Sequence, residues 1–280
     1  MKIFVTGGSG FIGKSFIKQA TKKNNFIYSL NRRKHKNLNS KVINLVGNLN
    51  DNWSKYLKNT DVVVHLAAAG VQPDATTRKE IFKTNVYDSI TFIKNAIQAG
   101  CKKFLIISTS SEYGHSSKKI KKIGRKFKRK PKNYYSVSKA KFTDFIKKFS
   151  DNKDYKNCKF RVMRMFPIYG SDEKKYRLYP SLKKAATDGK NFFIKNPLEF
   201  RDFTDSSYAS KILLNACYFK KKTKRFEIYH VSSNKSMTVF KFAAKIWKKL
   251  KAKGKLTANK KVFFSTHVSD KRSVWKLKKH

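Results

Sequence analysis

Residues 6–15, Thr6-Gly7-Gly8-Ser9-Gly10-Phe11-Ile12-Gly13-Lys14-Ser15, hold two overlapping phosphate-binding patterns. Counted from Gly7 the spacing is G-x-x-G-x-x-G, a dinucleotide-binding turn; counted from Gly8 it is G-x-x-x-x-G-K-S, a nucleoside-triphosphate loop. In a dinucleotide turn Gly7 makes the tight bend, Gly10 lets the backbone approach a pyrophosphate and Gly13 lets helix and strand pack closely, with the phosphates at the helix N-terminus. Phe11 and Ile12 suit that arrangement as apolar residues entering a helix that lies on a sheet. A triphosphate loop prefers small or polar residues there and needs a magnesium-binding acid at a later strand end. The strand ending His65-Leu66-Ala67-Ala68-Ala69 has no acid, so the dinucleotide turn is preferred.

Working outward, KIFVTG, NNFIYSL, KVINLVGNL, DVVVHLAAA and KKFLIISTS are predicted strands, several apolar on both faces as central parallel strands are. Between them, residues 13–23, 78–100 and 134–150 show the three-and-four apolar spacing of amphipathic helices. The alternation predicts an α/β fold, a doubly wound parallel (Rossmann) sheet with ligands at the carboxyl ends of its strands. After FRVMRMFPIYG the pattern is less regular, which suggests a smaller C-terminal substrate-binding lobe. The expected division is 1–166 for the dinucleotide domain and 167–280 for the lobe, the two interwoven.

At 280 residues and 40% hydrophobic the chain can bury such a core. A strand beginning at the second residue leaves no room for a signal peptide, and no apolar run reaches membrane-spanning length. A cytoplasmic protein is expected. Cys101, Cys158 and Cys217 lack metal-ligand spacing, so no metal is expected. The charge is extreme: 66 Lys+Arg against 17 Asp+Glu, a net +49. Polyanion binding and a lysine-biased composition both account for it. The spread of lysine over nearly every segment favours the second. One run, residues 117–132 (SKKIKKIGRKFKRKPK), is predicted to be an exposed basic loop able to lie over a ligand's phosphates.

A cofactor-binding second strand ends in Asp or Glu when it holds a ribose 2′-hydroxyl, and near Arg when it holds a 2′-phosphate. Here it ends Ser29-Leu30-Asn31-Arg32-Arg33, so Asn31 and Arg32 point to NADP, with NAD possible. For chemistry, Tyr135 and Lys139 in Tyr135-Ser136-Val137-Ser138-Lys139 stand one helical turn apart and face one side. Spacing alone decides nothing, since Tyr155/Lys159, Tyr179/Lys183 and Tyr218/Lys222 repeat it. Position selects the first pair, which opens a helical pattern after Pro131 and follows the polar strand end Ser108-Thr109-Ser110-Ser111-Glu112-Tyr113-Gly114.

With TGGSGFIG, HLAA (65–68), Thr84-Asn85-Val86, STSSEYG, YSVSK, RMFPIYG (164–170) and RDF (201–203) in this order, the chain resembles an extended short-chain dehydrogenase/reductase of the nucleotide-sugar epimerase/dehydratase family. The resemblance implies Tyr135 as general acid/base, Lys139 as ligand of the nicotinamide ribose that lowers the tyrosine's pKa, and Thr109 as hydrogen-bond partner of the reacting oxygen. Bringing a tyrosine from about 10 to about 7 takes roughly 4 kcal/mol of phenolate stabilisation. Cofactor contacts are implied for Gly7, Gly10, Phe11, Ile12, Gly13, Asn31, Arg32, Leu66, Ala67, Ala68, Asn85, Tyr135 and Lys139, with Asn85 bracing backbone. Diphosphate contacts of a nucleotide-sugar substrate are implied for Arg177 and Arg201, whose permanent charge and paired donors suit them. A homodimer through the helices carrying Asn85 and Tyr135 is implied too.

Departures from the family narrow the reaction. A dehydratase would carry an acid directly after Thr109, where Ser110 and Ser111 stand and Glu112 comes one place late. Pro167 takes a position where relatives carry a substrate-facing asparagine. His65 and His115 read as structural. The expected activity is an NAD(P)-dependent 4-keto-sugar reductase, slightly ahead of a 4-epimerase, serving surface-polysaccharide sugars. The alternative is a related fold that binds RNA or an anionic surface through its charge, although nucleic acid is not the expected partner; a triphosphatase ranks third.

Overall fold

The computed structural model describes residues 1–34, 39–71, 76–114, 122–259 and 268–277. The first half alternates as its periodicity predicts: β1 (Lys2–Thr6), α1 (Phe11–Lys22), β2 (Phe26–Asn31), β3 (Val42–Val46), α2 (Ser54–Leu57) and β4 (Val62–His65). The predicted 78–100 helix is not uniform. It runs as α3 (Arg78–Phe82), a π-helical turn (Lys83–Asp88) and α4 (Ser89–Gln98). Next come β5 (Lys103–Thr109), a 3₁₀ turn (Ser110–Tyr113), β6 (Lys122–Ile123), α5 (Tyr134–Asp151), β7 (Lys159–Met165) and β8 (Ile168–Tyr169). The remainder holds α6 (Leu178–Thr187), β9 (Phe192–Ile194), β10 (Phe200–Asp202), β11 (Thr204–Asp205), α7 (Ser206–Ala216), β12 (Phe226–Val231), β13 (Ser236–Thr238), α8 (Val239–Lys249), β14 (Leu256–Ala258) and β15 (Val268–Ser269).

Seven strands form one sheet in the order β12-β7-β5-β4-β1-β2-β3, every pair of them parallel. This is the doubly wound Rossmann topology. Strand order reverses between β1 and β4, so the crevice at the carboxyl ends of those strands is where such folds bind ligands. Alternation divides the core between the two faces. Ile3 and Val5 face one side with Phe16 of α1 and Ile212 of α7, while Phe4 faces the other with Phe92, Phe104, Phe142 and Phe160. Burying each phenylalanine contributes about 1.5–3 kcal/mol. A third core, Leu182, Phe203, Phe242 and Trp247, builds the small lobe around α6 and α8. Later segments return to the large body: β12 extends its sheet and α7 packs on α1.

Candidate active site

The glycine turn is built by collision as much as by flexibility. Gly7 has φ 72°, and a Cβ there would lie 2.8 Å from the Ala67 nitrogen, so β4's exit forbids a side chain. A Cβ on Gly13 would strike the Gly7 carbonyl oxygen, whereas one on Gly10 would meet only that oxygen, at 3.2 Å. Gly10 caps α1 without a side-chain bond, and the first turn holds no acid. The amides of Phe11, Ile12 and Gly13 therefore present a positive helix end with room for an anion.

The competing loop pattern finds no support in its last two residues. The Ser15 hydroxyl donates to the Ser206 carbonyl at 3.0 Å and accepts from Ser210 at 2.8 Å. It is committed to α7, not to a magnesium ion, and Lys14 points to solvent.

Asn31 fastens the turn to β2. Its Oδ1 accepts from the Ser9 amide at 2.7 Å, and its Nδ2 donates to the Ser29 carbonyl and hydroxyl at 3.0 and 3.1 Å. Arg32 and Arg33 follow on the surface, and Arg32 lies within electrostatic reach of Glu80.

At the end of β4 a neutral network holds the exit loop. The Ala67 amide donates to Thr6 Oγ1, which contacts His65 Nδ1 at 2.9 Å; His65 Nε2 contacts the Ser89 hydroxyl at 2.9 Å, and that hydroxyl donates to the Thr84 carbonyl. With both hydroxyl protons assigned, His65 carries its own on Nε2. Burial and the Lys139 charge push its pKa down to about 3. His65 is structural, as its sequence context suggests. Asn85 stands in the π turn and spans two elements: it accepts from the Ala69 amide, and donates to the Ala69 carbonyl and to Ser138 on α5. Leu66, Ala67 and Ala68 line the half-buried exit between these braces.

α5 packs on β5 and on the 3₁₀ turn that Thr109 caps. Thr109 Oγ1 accepts from the Ser111 amide at 3.1 Å and donates to the Ser111 hydroxyl at 3.2 Å. Asn133 caps α5 in a reciprocal box with Ser136, which places Tyr135 and Lys139 in the first turns. The free chain holds Tyr135 protonated, because burial, helped by the Glu112 charge, pushes it up to about 12. Burial brings Lys139 down to about 8, with Glu112 opposing. The lowering of the tyrosine's pKa that the resemblance implies is therefore not present in the chain alone.

Glu112 is turned inward. It is fully buried and paired with Arg164 at 2.9 Å and Arg129 at 3.2 Å, so it offers a substrate no carboxylate. In the basic loop Lys122, Arg125, Lys126, Lys128, Lys130 and Lys132 are exposed as expected, Arg125 lying over the Tyr229 ring, while Arg129 folds onto Glu112 and Asp144. Residues 117–121 of that loop, and His115, lie outside the described residues.

In the small lobe Arg201, on β10, pairs with Glu199 at 2.6 Å, and its buried Nε has no partner among the described residues. A buried guanidinium donor without a protein partner can serve an anion, and Arg225 Nε is in the same state. Arg177, the N-cap residue of α6, pairs with Glu173 at 3.1 Å and is half exposed. The two arginines have separate acid partners. Among the described residues no cluster of three His, Cys, Asp or Glu could hold a metal, and no helix is long and apolar enough to cross a membrane.

Sequence reasoning missed Arg164, Arg129, Tyr113 and His230. The signal was present: Arg161 and Arg164 interrupt an otherwise apolar central strand, and a buried strand charge demands a partner. Glu227 and Glu112, two of only 17 acids, supply it.

Comparison with known proteins agrees with the fold. Residues 3–231 match the sequence profile of the NAD dependent epimerase/dehydratase family. The dTDP-D-glucose 4,6-dehydratase of Bos taurus is 27% identical over 266 residues, 88% of this chain and 72% of that protein. The GDP-6-deoxy-D-talose 4-dehydrogenase of Aggregatibacter actinomycetemcomitans is 28% identical over 213 residues, 72% of this chain and 65% of that one. The UDP-glucuronic acid 4-epimerase of Bacillus cereus, solved with UDP-glucuronic acid and NAD, superposes with a TM-score of 0.81 at 22% identity, covering 96% of this chain and 90% of that one.

Proposed function

We propose that this chain, which belongs to the NAD dependent epimerase/dehydratase family of short-chain dehydrogenase/reductase enzymes, is an oxidoreductase that reduces a 4-keto nucleotide sugar, with NADP favoured over NAD. One observation carries the choice of reaction. Tyr135 is held protonated on a helix packed against the Thr109 turn, while Ser110 and Ser111 occupy the acid positions and Glu112 points inward. This supports proton donation by Tyr135 over water elimination, which needs a carboxylate beside the substrate. The relative named as a 4-dehydrogenase supports keto–hydroxyl interconversion at that carbon.

The residues fit a nicotinamide dinucleotide. The uncapped amides of Phe11 to Gly13 and the open side of Gly10 suit its pyrophosphate. Asn31, which carries no negative charge, and the exposed Arg32 suit a 2′-phosphate. Leu66, Ala67, Ala68 and the Asn85 brace shape the path towards Tyr135 and Lys139. A dinucleotide held by these residues would supply a hydride for the carbonyl carbon. The Thr109 hydroxyl, turning from Ser111 to the substrate, donates a hydrogen bond to the carbonyl oxygen, Tyr135 gives that oxygen its proton, and the Lys139 ammonium stabilises the phenolate left behind. Arg201, through its unpartnered Nε, and Arg177 bind the substrate's diphosphate. A cytoplasmic homodimer fits the exposed Tyr87 and Tyr134 on the helical segments that would pair.

The test is binding and turnover with purified protein. NADPH should bind more tightly than NADH, and a panel of 4-keto nucleotide sugars should yield one that consumes NADPH, followed by the nicotinamide absorbance. Turnover with tightly held cofactor and no NADPH consumption would make it a 4-epimerase. Steep salt-dependent RNA binding without NADP(H) affinity would make it a binding protein.

A further inference from the structure

Glu112 receives more hydrogen bonds than its position on a short turn requires. Its carboxylate accepts from Ser108, from Thr143 at 3.0 Å, from Arg164 Nη2 and Nε at 2.9 and 3.2 Å, and from Arg129 Nη1 at 3.2 Å. Each donor belongs to an element of the candidate active site. Ser108 precedes Thr109 at the end of β5. Thr143 lies one turn beyond Lys139 on α5, and its hydroxyl also reaches the Lys139 carbonyl at 3.0 Å. Arg129 donates to the Ala140 carbonyl at 3.2 Å. Arg164 anchors the cluster to β7, the next strand of the sheet.

A buried ion cluster is a costly way to hold three elements together, since apolar residues of similar volume do so at least as well. The cluster's distinctive product is electrostatic. We propose that Glu112 is a positioning residue for the Tyr135–Lys139 pair: its carboxylate, bonded to Ser108 of β5, Thr143 of α5 and Arg164 of β7, fixes β5's polar end against the helix that carries the pair and keeps a negative charge beside it. This inference rests on the function proposed above.

Among the described residues, Lys139 is within electrostatic reach of Glu112 on the 3₁₀ turn and of the neutral His65 on β4, its ammonium lies 5.9 Å from the centre of the Phe142 ring, and Tyr135 stands one helical turn before it. Glu112 faces Arg164 from β7, Arg129 from the loop before α5, and Tyr113 beside it, with Asp144 beyond Arg129. Removing the carboxylate's charge destabilises protonated Lys139 and lowers its midpoint. Removing Arg129 leaves the carboxylate less neutralised and raises it.

Glu112→Gln and Arg129→Met test this in the full-length chain. The Lys139 midpoint is followed against pH by NMR of the lysine side-chain carbons in ¹³C-lysine-labelled protein, a readout that requires neither turnover nor reagent access to the buried ammonium. We expect the Lys139 midpoint to fall by about half a pH unit or more in Glu112→Gln and to rise in Arg129→Met. A structural role would alter stability without shifting the midpoint in opposite directions. An unchanged midpoint in either folded variant, or shifts of the same sign, overturns the proposal. Opposite shifts in a chain whose wild type binds no NADPH would leave the Glu112 effect standing and remove the reductase.

Discussion

Two buried networks flank the candidate site, and each turns on a histidine. In the first, Thr6, His65 and Ser89 form a neutral relay in which every hydroxyl has one donor and one acceptor role, leaving the histidine proton on Nε2. In the second, Arg164 donates to the Tyr113 hydroxyl at 2.7 Å, Tyr113 contacts His230 Nε2 at 2.6 Å, and His230 Nδ1 contacts Ser269 at 2.8 Å. Here the histidine proton lies on Nδ1, the opposite tautomer. The neutral network ties β4's exit loop to α4 and leaves no field behind. The charged one ties β5, α5 and β7 to the C-terminal segment and sets a carboxylate beside the helix that carries Tyr135 and Lys139. Neutral hydrogen bonds suffice to hold geometry; a charge also sets a field, and on the proposal above that field acts on Lys139.

Acid should expose what the networks share. Burial pushes both histidines down to about 3, His65 aided by Lys139 and His230 by Arg164 and Arg125. Between the unfolded value of 6.5 and about 3 the unfolded chain binds protons that the folded chain refuses. Stability is therefore full above the unfolded value and falls as pH drops through this window, each tenfold loss of proton affinity on folding contributing about 1.4 kcal/mol per histidine. Denaturant midpoints followed from neutral pH down into the acid range should decline steadily; a flat profile contradicts the neutral-histidine assignment.

Substitutions should separate them. Arg164→Met leaves Glu112 short of its main counter-charge and should cost about 3–5 kcal/mol in urea unfolding. Ser89→Ala leaves one buried imidazole N–H unpaired and should cost about 1–3 kcal/mol. If the order is reversed, the charged cluster is not the more tightly coupled of the two. The exposed Lys147–Asp151 pair on α5, at 2.5 Å, is the control: replacing both with alanine should change stability by no more than about 0.5 kcal/mol.

Much of this was legible in the sequence because the signals were local. Alternating apolar runs mark the central strands of the seven-stranded sheet, and the 7/10/13 glycine spacing predicts a turn that the Ala67 backbone and the Gly7 carbonyl now explain. The order of short motifs points to the family. The break in the 78–100 helix was not legible, since a single stretch of i→i+5 bonding shifts the apolar phase over too few residues to stand out from spacing of three and four. It nevertheless directs Asn85 into the Ala69 backbone. Glu112 reads in the sequence only as an acid one place late, because its partners come from residues 129, 143 and 164, and spacing along the chain carries no trace of contacts so distant. The basic loop is exposed along most of its described length, as its composition suggests, and of its described basic residues only Arg129 departs, by finding a buried acid.

The most direct test of the central claim is Tyr135→Phe, assayed for NADPH binding by fluorescence and for turnover of the 4-keto sugar that the wild type accepts. A protonated Tyr135 that serves as the proton donor predicts unchanged cofactor affinity with turnover reduced by about 10²-fold or more. Full turnover in Tyr135→Phe would contradict the account.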